Sequence, residues 1–319
     1  MSQMEKAADV RSRAIRHASW VGIAGNGTLA ILKIGAGWIS GSMAVLGDGI
    51  DTLSDVLTYI ITLITARIIS RPPDLRYPYG YKKAETISTK VLSFIIFFAG
   101  AQLLISTASR VIEGSQREMP ATLALWITII SIVAKAALAA YQFHIGRKHN
   151  SQMIVANARN MRNDIVISLS VLTGLVFTFL LQMPLLDTLT GLLVSIWIMY
   201  VAFKIFKESN IELMDGVPDS NLYLKVIKSV DETNGADNPH RIRIRKLAEL
   251  YLVALDIEVD PEMPVKKAHD IARNVEQRLR ENIPNLYDVL VHIEPSGNIE
   301  PDEVFGVSEQ TLNGKKPIR

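Results

Sequence analysis

Six stretches of this chain, 19–40, 43–70, 85–112, 121–146, 154–181 and 186–206, stay mostly apolar for about the 20 residues that a helix needs to cross a bilayer. Inside hydrocarbon every backbone N–H and C=O must find its partner within the protein, so only helices and closed barrels can span. Runs this long predict helices. Several exceed the minimum, so their ends project into water or the helices tilt. Beyond about residue 215 the sequence turns densely charged, as in an ordinary soluble domain.

Basic residues set the orientation. Lys6, Arg11, Arg13 and Arg16 precede the first run; Arg67, Arg71, Arg76, Lys82 and Lys83 follow the second; Arg147 and Lys148 follow the fourth. The alternate connections, "GS", "GSQREM" and "QMPL", are short and hold one Arg between them. An excess of Lys and Arg marks the cytoplasmic side, which places both termini in the cytoplasm. The opening "MSQMEKAADVRSRAIRH" lacks the apolar core and small-residue cleavage site of a signal peptide. A formal net charge of +2 gives no electrostatic reason to expect nucleic acid. There is no cysteine, so a metal site must use oxygen and imidazole nitrogen.

Against that apolar background, the second run carries Asp48, Asp51 and Asp55. Residues three or four apart share a helix face, so these acids form one stripe. Asn157, Asn160 and Asp164 repeat the spacing in the fifth run. A lipid-facing carboxylate costs at least about 2.5 kcal/mol, so both stripes must face the bundle interior or a water-filled cavity. The bland alternative is solvation at the helix ends. Asp51 and Asp55 facing Asn160 and Asp164 make a four-ligand oxygen cage for a divalent cation, with Asp48 in a vestibule. Lys33 and Lys135 read equally as snorkelling side chains or as partners of an acid. Gly35, Gly37, Gly47 and Gly49 suit close helix contact.

In the soluble part, Asp219 or Ser220 caps a helix running to about Val230. "RIRIRKLA" and "LYLVALDIEVD" alternate as half-buried strands do. "PVKKAHDIARNVEQRLRENI" is helical, with Ile271, Val275 and Leu279 on one face, and "YDVLVHIEP" is a last strand.

The chain resembles the cation diffusion facilitators along nearly its whole length, through "GDGIDTLSDV", "RNMRND", "SRPPDLRYPYGYKKAE" and "DVLVHIEP". The resemblance implies a secondary active transporter, not an enzyme: a proton-coupled antiporter that exports divalent metal ions. It implies an α-helical membrane protein of six transmembrane helices with both termini cytoplasmic, plus an α+β ferredoxin-like (αββαβ) domain, assembled as a homodimer. The divisions expected are a cytoplasmic arm (1–18), a transport domain (19–212), a metal-sensing and dimerisation domain (213–300) and a flexible tail (301–319). Its partners are then the lipid bilayer of a prokaryotic cytoplasmic (inner) membrane, metal ions, protons and a second copy. No cofactor is implied; the metal is cargo and a regulator.

Carried over by position, the transport ligands are Asp51, Asp55, Asn160 and Asp164. Zinc-exporting members of the family use His in this site; this chain offers only oxygen, a set resembling that of manganese-exporting members. Harder ions are content with carboxylate and amide, so Mn²⁺ leads, Fe²⁺ follows, and Co²⁺, Ni²⁺ and Zn²⁺ remain alternatives. A loop site that some relatives build from one Asp and two His falls here on Asp74, Tyr77 and Tyr81, which predicts its absence and gives the tyrosines packing or hydrogen-bonding roles. The regulatory ligands implied in the soluble domain are His240, Asp256, His269, His292 and Glu294, each equally compatible by itself with a plain surface or strand position. Lys83 and Asp215 correspond to a charge pair that locks protomers together. Two other classes compete: an intramembrane aspartyl protease, opposed by the Asp51/Asp55 spacing, and a metal-sensing scaffold that does not transport.

Overall fold

The computed structural model describes residues 3–112, 119–148, 152–217, 219–247, 250–297, 306–312 and 314. They form two compact units, one of 1–67 with 88–206 and one of 68–87 with 207–319.

The first unit is built from six long helices: α1 (Gln3–Ser40), α2 (Met43–Ile69), α3 (Ala84–Ile112), α4 (Leu123–Lys148), α5 (Gln152–Leu181) and α6 (Pro184–Leu213). Among the described residues five of them, α2 to α6, have the length and hydropathy of a membrane span. The first expected span, in α1, is not one of the five, because Asn26, Lys33 and a series of glycines interrupt its apolar run. The arm before it is no separate element, since α1 is helical from Gln3.

Burial in this unit inverts the soluble pattern. Trp38, Ile39 and Phe98 point outward at 82%, 77% and 68% exposure, whereas Asn26, Lys33, Asp48, Lys135, Gln142 and Ser168 are buried. On α4 the buried face is Thr128, Ser131, Lys135 and Gln142 between Ala124 and Gly146. Such an arrangement is favourable only where the outer solvent is itself apolar. An apolar seam of Met43, Ala44, Leu92, Leu103, Val171, Leu175, Val194 and Ile198 joins the remaining helices. At Gly37 and Gly49 an added Cβ would lie 2.6 Å from the Leu46 nitrogen and 2.8 Å from the Ile34 nitrogen, so α1 and α2 touch backbone to backbone. Gly47 packs against Val194 and Leu103, but Gly35 faces open space and supports no helix contact.

The start of α2 is held from α6. Helix N-termini leave N–H groups without intrahelical partners. Here Ser42 Oγ accepts from the Val45 N–H at 3.2 Å, the Ser42 hydroxyl donates to Asp187 Oδ1, and Asp187 Oδ2 accepts from the Met43 N–H at 2.8 Å. Asp187 is 3% exposed.

The second unit contains α7 (Asn221–Asp231), β1 (Asp237–Leu247), β2 (Leu250–Val259), α8 (Val265–Asn282), β3 (Leu286–Pro295) and the short α9 (Glu309–Leu312). Asp219 caps α7, accepting from the Asn221 N–H at 2.9 Å; Ser220 makes no side-chain cap bond. The sheet order is β1-β2-β3, with β1 antiparallel and β3 parallel to β2. Val226, Val230, Ile242, Ile244, Val253, Leu255, Ile257, Ile271, Val275 and Leu279 form the core between helices and sheet. Strand alternation then sends Asp256, His292 and Glu294 to the other face. A flexible tail over 301–319 does not hold for 306–312: Ile242 and Val307 exchange two backbone hydrogen bonds of 2.9 and 3.0 Å, and Leu312 packs on the core. β1 is an edge strand, and its unpaired backbone groups recruit that segment.

Replacing Asp187 with Ala strips the buried Met43 N–H and Ser42 hydroxyl of their acceptor. The expected loss is about 1–3 kcal/mol, read as a lower thermal midpoint in detergent; unfolding identical to that of the parent protein would show that the α6 cap contributes nothing.

Candidate metal centres

Helix α2 places Asp48, Asp51 and Asp55 along one side, and each acid meets a different environment. Asp48 is 1% exposed, with Oδ2 2.8 Å from Lys33 Nζ of α1. The Ser168 hydroxyl of α5 donates to Asp48 Oδ1 at 2.8 Å, and Lys33 donates to Ser168 Oγ at 3.0 Å and Thr52 Oγ1 at 3.3 Å. Asp48 is therefore no vestibule residue: it is sealed in a network across three helices. Lys33 does not snorkel, because its buried charge is matched by an acid and two hydroxyls.

About two turns along α2 from Asp48, Asp55 meets Asp164 of α5 across Lys135, as two polar stripes seeking the same interior require. The two carboxyl groups share one neighbour, the ammonium of Lys135. Between them lies Lys135 of α4, itself 1% exposed, with Nζ 2.9 Å from Asp164 Oδ2 and 3.4 Å from Asp55 Oδ2. Unlike Asp48, these carboxylates keep some access, at 26% and 14% exposure. Asp51 is half-buried on the same side of α2, and Asn160 lies exposed one turn before Asp164. Asp51, Asp55 and Asp164 do not converge to ligating distance. Among the described residues the His/Asp/Glu triad whose ligand atoms lie within 4.8 Å of one another is His240, Asp256 and Glu294.

That triad follows from sheet register. His240 of β1 is opposite Asp256 of β2, which is opposite His292 of β3, and Glu294 lies two residues further on β3. Asp256 and Glu294 are buried at 2% and 4% exposure. His240 Nδ1 is 2.7 Å from the Asn238 carbonyl oxygen. A carbonyl only accepts, so Nδ1 carries the proton and Nε2 keeps its lone pair in the neutral ring, the ligating form. That Nε2 is 3.4 Å from Glu294 Oε2. Among the described residues the buried Glu294 Oε1 has no hydrogen-bond partner, the Nε2 of His292 being 3.6 Å away. One imidazole and two carboxylates, one with an unsatisfied oxygen, fit a divalent ion. Arg241 competes, since its Nη1 holds Asp256 Oδ2 at 2.8 Å. His292 stands exposed beside the triad, and His269 is on the exposed side of α8.

In the loop between α2 and α3 the carboxylate of Asp74 is fully engaged. Oδ1 accepts from the Arg76 and Tyr77 N–H groups at 2.9 and 2.8 Å, and Oδ2 accepts from the Tyr81 hydroxyl. The Tyr77 and Tyr81 rings pack at 4.7 Å. The phenol of Tyr81, then the Tyr77 N–H, hold the Asp74 carboxyl below its ordinary range, and the same bond pushes the Tyr81 phenol up. Lys83 Nζ pairs with Asp215 Oδ1 at 2.8 Å, and Arg245 Nε approaches Asp215 Oδ2 at 3.2 Å. Both residues belong to the same compact unit, 68–87 with 207–319.

Lys135, Arg241 and Asp187 are the site and scaffold residues that sequence reasoning did not place. A lone mid-span lysine on a face shared with Ser131 and Gln142 is a signal for Lys135, but nothing in the sequence says which acid it meets.

A bundle of bilayer-length helices with acids and lysines paired in its interior, joined to a small α/β domain, defines a membrane protein that handles cations. The chain belongs to the cation efflux family: residues 19–214 match the cation efflux transmembrane domain and residues 218–296 the cytoplasmic domain of cation efflux proteins. This is a family of transporters and not of enzymes. An uncharacterized transporter of Methanocaldococcus jannaschii is 32% identical over 277 residues, covering 85% of this chain and 95% of that protein. The manganese efflux system protein MneS of Bacillus subtilis is 30% identical over 277 residues, covering 86% and 93%. MneP, another manganese efflux system protein of that organism, is 29% identical over 300 residues, covering 90% and 98%.

A Tyr81→Phe protein loses the phenolic donor that holds Asp74 down. The midpoint of the Asp74 carboxyl then rises toward the ordinary carboxylate value, measured by carboxyl-carbon NMR through the acidic range; an unmoved midpoint would leave the backbone N–H groups as the whole cause.

Proposed function

We propose that this cation efflux protein is a proton-coupled exporter of divalent metal ions with Mn²⁺ as its foremost cargo, Fe²⁺ next, and Co²⁺, Ni²⁺ or Zn²⁺ behind them. It works as a homodimer in a prokaryotic cytoplasmic membrane, with α1 as a sixth span, both termini cytoplasmic and the α7-β1-β2-α8-β3 domain in a ferredoxin-like arrangement. The observation that carries this reading is the meeting of Asp55 and Asp164, from two different apolar helices, at a partly accessible interior point. Acids in a bilayer interior that are not sealed in a pair or a cap mark ion and proton pathways.

Asp51, Asp55, Asn160 and Asp164 are the cargo ligands in this reading, drawn together as the helices rearrange around the ion. Their oxygen-only chemistry favours a harder ion over zinc. MneS and MneP, which are manganese efflux proteins, support the same choice. Three acids in a low-dielectric cavity repel one another unless a metal ion or protons neutralise them. Export then exchanges one for the other. Asn160 does not titrate, so proton traffic falls to Asp51, Asp55 and Asp164.

In the cytoplasmic domain a regulatory divalent ion binds His240, Asp256 and Glu294, with His292 able to swing in and His269 reached only from elsewhere. Lys83 and Asp215, an ion pair in this chain, serve as the charge lock that holds protomers together. An ion that binds one dimer arrangement better than another shifts the population toward it. A sensor that does not transport would use the same triad, and transport decides between the two.

Purified protein in proteoliposomes with an internal pH dye should take up Mn²⁺ against protons, in preference to Zn²⁺. Asp55→Asn and Asp164→Asn should each slow uptake by more than about tenfold. Zinc preference, or unchanged metal–proton coupling in both variants, overturns the reading. In an Asp55→Asn background, Glu294→Gln should weaken the remaining Mn²⁺ binding about tenfold to 100-fold by calorimetry. Equal affinity would remove the triad as a metal site.

A further inference from the structure

Two lysines are buried in the membrane unit, and their settings differ. Lys33 is fully enclosed, with an acid and two hydroxyls around its ammonium, and its partner Asp48 has a side chain only 2% exposed. Lys135 is equally buried, yet its partners Asp55 and Asp164 remain 26% and 14% exposed. The second pair keeps an opening that the first lacks. Lysine is also suited to give way: a compact ammonium on a flexible four-carbon stem, without the fixed fork of arginine.

We propose that Lys135 is a tethered counter-cation of the transport site, holding Asp55 and Asp164 when cargo is absent and displaced when a divalent ion enters. This rests on the export reading above and names the group with which the cargo competes. Unpaired carboxylates in the bilayer interior are costly; on the return step Lys135 neutralises one of the three acids and leaves two for protons, so a site without it needs a third proton and resists the rearrangement that returns it to the loading side. With its groups ionised, the cluster of Asp51, Asp55, Asp164 and Lys135 carries two net negative charges, and one divalent cation balances it. A monovalent ion leaves it charged. The ammonium also weakens cargo binding, which favours release. Competition between two occupants of one site is reciprocal.

The test uses the full-length protein, with Mn²⁺ as probe, and measures equilibrium binding in detergent together with Mn²⁺/Mn²⁺ exchange and net uptake in proteoliposomes. Lys135→Gln removes the competitor: Mn²⁺ should bind about tenfold tighter, exchange should persist, and net uptake should fall. Lys135→Arg installs a forked competitor that grips both acids, and Mn²⁺ should bind about tenfold more weakly. A purely structural lysine does not give affinity changes of opposite sign. Unchanged affinity in both variants, or weakening in both, overturns the proposal. Should Lys135→Gln fail to fold, Lys135→Arg decides alone, weaker binding supporting the proposal and unchanged binding sinking it. If wild type and Asp55→Asn bind Mn²⁺ equally well, the export reading fails and this inference with it; if they differ as expected while the Lys135 variants match wild type, only this inference fails.

Discussion

Hydrocarbon as the outer solvent is the constraint on which the membrane unit depends. It allows Trp38 and Phe98 to stay on the outside and requires each interior charge to have a partner. The two buried lysines answer that requirement in the same way, each against carboxylates from a neighbouring helix. Pairing of this kind contributes little net stability, because desolvation offsets most of the attraction. What it provides is register: Lys33 ties α1 to α2, and Lys135 ties α4 to both α2 and α5.

Much of the architecture could be read before any coordinate. Apolar runs of bilayer length locate helices without reference to period, and α2 to α6 begin and end within a few residues of the expected bounds, apart from a longer C-terminal end on α6. In the soluble part, period-2 alternation announced β1 and β2, "YDVLVHIEP" falls in β3, and the helical stripe of Ile271, Val275 and Leu279 lies in the core. The aspartate stripes were legible because spacing alone puts side chains on one face. Their partners were not, since nothing local to Lys135 or Lys33 distinguishes an ion pair from a snorkelling side chain. Asp187 was hidden for a related reason: it caps a helix that begins 144 residues earlier in the chain.

The cytoplasmic domain shows the same limit from another direction. His240, Asp256 and Glu294 come together because strand register places them side by side, whereas His269, equally suited chemically, is on the far side of a helix. Donor chemistry nominates ligands, and topology selects among them. Arg241 adds a competitor that only the folded chain reveals, as Lys135 does in the membrane. Both candidate centres thus have a protein cation bonded to their carboxylates, Arg241 to one and Lys135 to two, and metal entry at either one means exchanging partners rather than filling bare space.

The pairing of Val307 with Ile242 bears on how the soluble domain avoids unwanted company. An open strand edge templates additional strands and invites sticking between molecules. By lying along the outer margin of β1, residues 306–312 blunt that margin as a template for a strand of another molecule.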